Sequence, residues 1–373
     1  LAGMLSGDHA VEIELWYRQS EAARRRAACE VTALVQQGGG QVISAAQVAE
    51  VGYHGMKCAV PLEILQRLAS GDYDAVAAVK SAHVMYLRVT AQSYLISDEA
   101  PIQAPAPGQL PTGDPVLCVL DGYPVANHPL LAGRILVEDP DDLASATNAE
   151  TQLRRHGTSM ASVCVWGDRS LSEPPAQRPV LVRPILTPAR DTADRWEELP
   201  DTVLAPDLMR RIFRELFDGD GQMPASAPSV VVVNMSVGDP AAPFDGAISS
   251  WARTLDWLSA TYGVIVVVSA GNHPALPVPD GTNALLALAG SDRAMAVNDG
   301  VAQTNPRRSL LAPADSINSL AVGALNADGA GDVPITGYQF DPADGELIVS
   351  PISALGAGHH RSVKPDVVAP GGR

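Results

Sequence analysis

Aromatic side chains are scarce in this 373-residue chain, at 5% of the total. Its interior must be filled by alanine, valine and leucine. With 46% apolar and 18% charged residues the composition is that of a globular chain, which excludes disordered and fibrous classes. Cationic residues are outnumbered, 26 Lys and Arg against 42 Asp and Glu, for a net charge of −16. Such a chain is poorly suited to gripping nucleic acid phosphates or anionic lipid, so a soluble partner or substrate is expected, with no nucleic acid and no membrane. No uncharged apolar run of about 18 residues occurs, and Leu1-Ala2-Gly3-Met4-Leu5-Ser6-Gly7-Asp8 lacks a basic start followed by an apolar stretch. Neither a membrane span nor a signal peptide is read from it. The cysteines, Cys29, Cys58, Cys118 and Cys164, are scattered without a Cys-x-x-Cys pair. That spacing argues against a disulfide framework or zinc knuckle and for small buried thiols in a reducing cytoplasm.

At about 150 residues per domain, the length suggests two or three units. The first, residues 1–92, reads as strand, helix, strand, strand, helix, strand. Val11-Glu12-Ile13-Glu14-Leu15-Trp16 alternates apolar and polar, and Ser20-Glu21 opens an alanine-rich helix that ends near Gly38-Gly39-Gly40. Gln41 to Val51 and Tyr53 to Val60 form a strand pair, Pro61 starts a helix through Leu68, and Val84 to Val89 closes the unit. That order is ferredoxin-like α+β. Pro101, Pro105, Pro107, Pro111 and Pro115 mark a semi-rigid linker over 93–114.

From 115 to 373 the pattern changes. Val116-Leu117-Cys118-Val119-Leu120, Val180-Leu181-Val182, Val230 to Val233 and Val264 to Val268 are continuous apolar runs, as strands of a parallel sheet covered on both faces require. Helices at Asp207 to Phe217 and Ser250 to Tyr262 fit between them. In such sheets ligands gather beyond the carboxyl ends of the strands.

Four candidate segments lie at such ends. Asp121 leaves the first run, where it serves as a turn former or an orienting group. His156 opens His156-Gly157-Thr158-Ser159-Met160-Ala161, and Asp121 is available as partner to its Nδ1. Ser236-Val237-Gly238 and Ser269-Ala270-Gly271-Asn272 end two further runs. A strand-tip asparagine amide can donate to a developing oxyanion, or simply make a turn.

In this order the four segments resemble the subtilisin-like serine proteases, the subtilases. The resemblance implies a subtilisin-like α/β fold with helices on both faces of a parallel sheet, and peptide hydrolysis without a cofactor. It implies that Asp121 orients the imidazole, His156 acts as base and then acid, and Asn272 stabilises the oxyanion. Ser236, Val237, Gly238, Ser269, Ala270 and Gly271 would line the peptide groove and wall the S1 pocket. The ferredoxin-like unit resembles the propeptides and inhibitor domains that accompany subtilases. Gly122-Tyr123-Pro124 after Asp121 departs from the usual pattern and resembles intracellular bacterial members, some encoded beside AAA-type ATPases, which makes such an ATPase a candidate partner.

A larger departure is the absence of the family's final serine block, which is expected after Arg373. Gly157-Thr158-Ser159-Met160-Ala161 spells that block but adjoins His156 and precedes Asn272, so Ser159 is read as a decoy. On this reading the 373-residue chain lacks its nucleophile and is inactive. The alternative is a non-catalytic peptide-binding or regulatory pseudoprotease. His359-His360 and the acidic cluster Glu138 to Asp142 lack ligand spacing and are read as a solvated loop and turn, so no metal is expected.

Overall fold

A computed structural model of the chain describes residues 8–73, 76–89, 109–147, 150–167, 174–189, 197–219, 221–273, 281–304, 307–327 and 341–371. Its first unit runs β1 (Asp8–Leu15), α1 (Glu21–Gln37), β2 (Gln41–Val48), β3 (Tyr53–Pro61), α2 (Leu62–Ala69) and β4 (Val84–Val89). The strands pair antiparallel in the order β2-β3-β1-β4, the ferredoxin-like arrangement. Ala27, Val31 and Val35, four residues apart, turn one stripe of α1 onto Val11, Ile13, Met56 and Cys58. Cys29 departs from the expected burial. It lies about 200° around α1 from Ala27 and is exposed, whereas Cys58 and Cys118 are buried and Cys164 is half-buried.

The other face of this small sheet rests on the larger unit, which explains why β3 is buried along nearly its whole length. Residues 90–108, most of the expected proline-rich linker, lie outside the described residues, and with them Gln92 to Ala106, the stretch expected to lie along Ser236-Val237-Gly238 if the small unit plugs the groove.

The larger unit contains β5 (Leu117–Gly122), β6 (Ile135–Val137), α3 (Leu143–Ala146), α4 (Arg155–Trp166), β7 (Val180–Pro188) and β8 (Glu197–Glu198). It continues through α5 (Ala205–Phe217), β9 (Val232–Met235), β10 (Asp239–Pro243), α6 (Ser250–Tyr262), β11 (Ile265–Ser269), α7 (Thr282–Leu286) and α8 (Gly290–Thr304). β12 (Leu311–Ala312), β13 (Leu320–Leu325), β14 (Gly356–Ala357), β15 (Val363–Lys364) and β16 (Val367–Pro370) complete it. Its main sheet follows the order β16-β13-β11-β9-β5-β7-β6, parallel throughout, and β8 joins the end of β7 antiparallel.

Both faces are covered, and the strand period of two decides what each side chain meets. Cys118 and Leu120 join the core beneath α5 and α6, with Phe213, Leu216, Leu255 and Leu258. Val119 points the other way, onto Ala161 and Val165 of α4. The next residue in that alternation is Asp121, which therefore emerges on the α4 side. The β5–β9–β11 register places Val119 opposite Asn234 and Asn234 opposite Val267. Two residues further along the chain stand Asp121 and Ser269, at the ends of β5 and β11, and Ser236, just beyond the end of β9.

Candidate active site

Asp121 is fully buried, and its Oδ1 accepts the Nδ1–H of His156 at 2.5 Å. The same oxygen accepts the backbone N–H of its own neighbour, Gly122, at 2.7 Å, which locks the carboxylate plane. The ring sits in the first turn of α4, whose buried stripe is Gly157, Ala161 and Val165. Gly157 admits this approach because a Cβ there would overlap the carbonyl oxygen of Gly122. The side chain of His156 keeps 31% of its surface exposed, and no described residue bonds its Nε2. That nitrogen is free to exchange a proton with a bound group. The Asp121 charge lifts the imidazole to about 9 against the opposing effect of burial, aided by their hydrogen bond and by Glu197.

Glu197 was not among the residues singled out from the sequence. α4 has no capping side chain of its own at Arg154, and Glu197 supplies one from β8, accepting the His156 backbone N–H at 2.8 Å. Burial raises its carboxyl to about 7 and Asp121 adds to the rise, while His156 and its backbone N–H oppose it. A Cβ on Gly122 would overlap Glu197 Oε2. Both glycines are thus consumed by close approach. The only sequence signal was an acidic pair, Glu197-Glu198, after a run of charged residues, which reads as a solvated face.

The strand ends beyond β9 and β11 differ in a way the sequence does not disclose. Ser236, Val237 and Gly238 carry no backbone hydrogen bond from any described residue, although Asn234 Nδ2 donates to Ser236 Oγ at 3.1 Å. In the other segment the backbone is committed. The Ala270 N–H donates to Val322 O and its carbonyl accepts from Leu311, Gly271 N–H donates to Ser269 Oγ, and Gly271 O accepts from Ala354. Asn272 bridges Ser353. Gly271 has φ 105°, and a Cβ there would lie 2.6 Å from the Leu311 side chain. The backbone of the first segment is unpaired among the described residues, with Val237 and Gly238 buried, and that of the second is committed.

Other sequence candidates are occupied otherwise. Ser159 is exposed on α4 and makes no side-chain hydrogen bond among the described residues. The rings of His359 and His360 lie against each other with centroids 4.1 Å apart and planes tilted by 36°. Asp139 caps the backbone of Leu143 and Ala144, each at 2.8 Å, Asp141 pairs with Arg211, and Glu138 accepts from Ser226. No group of three or more metal-ligating side chains occurs among the described residues, and no described helix is long and apolar enough to cross a membrane.

Residues 207–373 match the subtilase family. The subtilase match contains Ser236 to Gly238 and Ser269 to Asn272, while Asp121 and His156 precede it. An uncharacterised protein of Sinorhizobium fredii, y4bN, is 36% identical over 151 residues, 37% of this chain. The alignment spans only 30% of that relative. Among solved structures, the epidermin leader peptide processing serine protease of Staphylococcus aureus aligns with 98% of this chain and 76% of its own at 12% identity, with a TM-score of 0.45. The prenylagaramide maturation protease aligns over 69% of this chain and 64% of its own at 18% identity, with a TM-score of 0.37.

Proposed function

We propose that the larger unit carries the acid–base apparatus of a subtilisin-type serine endopeptidase. The observation that supports this most directly is the buried Asp121 carboxylate holding His156 Nδ1–H while Nε2 stays free, on a sheet whose later part matches the subtilases. In this reading His156 takes the proton of a nucleophilic serine, Asp121 holds the tautomer and stabilises the imidazolium, and the acyl-enzyme is hydrolysed by the same groups in reverse. Asn272 donates to the tetrahedral oxyanion. The substrate backbone adds to the edge at Ser236-Val237-Gly238, as an extended peptide adds to an open strand.

No described hydroxyl bonds Nε2, which leaves that nitrogen open to a nucleophilic hydroxyl. The ferredoxin-like unit acts as an inhibitor-like module. It is held against α6 by Arg253 Nη2 donating to Glu14 Oε1 at 2.6 Å and against the segment before α5 by Ser44 Oγ donating to Thr202 O at 2.7 Å.

A fluorophosphonate probe on the longest native gene product tests the reading. Covalent labelling that disappears in His156→Ala is the expected result. Absence of labelling, with peptide binding retained, would instead identify a pseudoprotease.

A further inference from the structure

Glu197 stands outside the triad logic, yet it is more deeply built into the site than its place in the acidic pair Glu197-Glu198 suggests. It is 5% exposed. Pairing of β8 with the end of β7 sets Pro188 opposite Glu197, so the carboxylate enters from the strand beside β5. One oxygen holds the His156 backbone N–H, and the other is buried over Gly122 without a hydrogen-bond partner among the described residues. Asp121 Oδ2 is likewise buried and unpartnered there. Two carboxylates therefore enclose one imidazole, the first through its ring nitrogen and the second through the backbone that carries the ring.

Resting on the peptidase reading for its consequence, we propose that Glu197 is a positioning residue of the His156–Asp121 dyad, anchoring the first turn of α4 and setting the field in which the imidazole gains and loses its proton. The mechanical part follows from capping: an acceptor at the first N–H groups of a helix fixes where its first side chains stand. The electrostatic part follows from a buried negative charge beside a group that becomes positive. An ionised Glu197 favours imidazolium, and a protonated one withdraws that support. The other titratable or charged groups around the pair are Asp121 on β5, Cys164 on α4, Arg154 stacked over Tyr123 at 5.0 Å, Arg155 beside His156 and Glu198 on β8. Cys164 is held neutral, its thiol pushed up to about 12 by burial.

The substitution Glu197→Gln separates the two contributions, because the amide oxygen can still cap α4 while the charge is gone. NMR titration of the full chain with 13C-labelled histidine, assigned by loss of the signal in His156→Gln, reads the imidazole directly. The expected result is a downward shift of the His156 midpoint by about one pH unit in Glu197→Gln, with the Nδ1–H resonance retained. In Glu197→Ala the midpoint falls and that resonance broadens as the helix turn loosens. Should Glu197→Ala fail to fold, Glu197→Gln alone decides the matter. A midpoint unchanged in Glu197→Gln would overturn the proposal. Because the readout is a titration, it stands or falls independently of whether the protein cleaves peptides.

Discussion

The carbonyl oxygen of Gly122 occupies the space that a Cβ on Gly157 would need. Strand β5 and helix α4 approach closely at the point where Asp121 and His156 meet, and each contributes a glycine to that approach. Gly157→Ala is expected to force the two elements apart, with a destabilisation of about 1–3 kcal/mol. Thermal unfolding of the variant reads the cost, and the His156 titration reads the damage to the dyad. A variant with wild-type melting and an unchanged His156 midpoint would refute this account of the two glycines.

Asp121→Asn removes the main cause of the raised imidazole pKa. Under the proposed peptidase activity the expected loss in turnover is about 10⁴-fold, the size seen when the orienting acid of a Ser-His-Asp triad is replaced. Activity that survives within about tenfold would remove Asp121 from the catalytic machinery.

Stability should fall with rising pH across two windows. Glu197 moves from an ordinary value of 4.5 to about 7 on folding, so the native state holds its proton longer than the unfolded state. Its contribution is complete below about 4.5 and is lost as pH rises towards 7. His156 moves from 6.5 to about 9, so its contribution is complete below 6.5 and is lost as pH rises through 9. Denaturant midpoints measured from pH 4 to 10 should show both slopes. Glu197→Gln should flatten the lower one and His156→Ala the upper one, and parallel curves for all three proteins would contradict the assignment.

Glu14 is 1% exposed and receives Arg88 Nη1 at 3.2 Å and Arg253 Nη2 at 2.6 Å. Arg253→Met leaves a buried carboxylate with one cation instead of two and cuts the charged tie between the small sheet and α6. A loss of about 1–3 kcal/mol is expected, discounted because the arginine is about one-third exposed. Limited proteolysis of residues 8–89 should accelerate in parallel. If the small unit inhibits the larger one, cleavage by the protein should also rise, and unchanged cleavage would count against the inhibitory role.

Under the proposed peptidase activity, Ser159→Ala should leave cleavage within about twofold of wild type. A loss on the scale of His156→Ala would show that the exposed hydroxyl on α4 is a participant after all.

Much of the architecture was legible because its signals are local. The strand at Val84–Val89 and the helix at Ser250–Tyr262 coincide with the periodic runs that predict them. Strand starts were read one or two residues early at Val116 and Val230, because an apolar residue before the ladder looks the same in sequence as one within it. The Asp121–His156 pair was legible from its motif order. Glu197 was not, since its role arises from a two-residue strand pairing and from glycines far away in the chain. Nor was the contrast between the unpaired Ser236–Gly238 backbone and the committed Ser269–Gly271 backbone among the described residues, which depends on where Val322, Leu311 and Ala354 fall in space.

The side-to-side alternation along β5 makes the dyad intolerant of a sliding error. A slip of a single residue against β7 and β9 would rotate the acid towards the oily layer beneath α5 and α6 and bring Leu120 up to the imidazole. Chemistry at His156 is therefore guarded by strand pairing several residues upstream, and insertions or deletions between Leu117 and Leu120 should abolish it even where every residue of the site is kept.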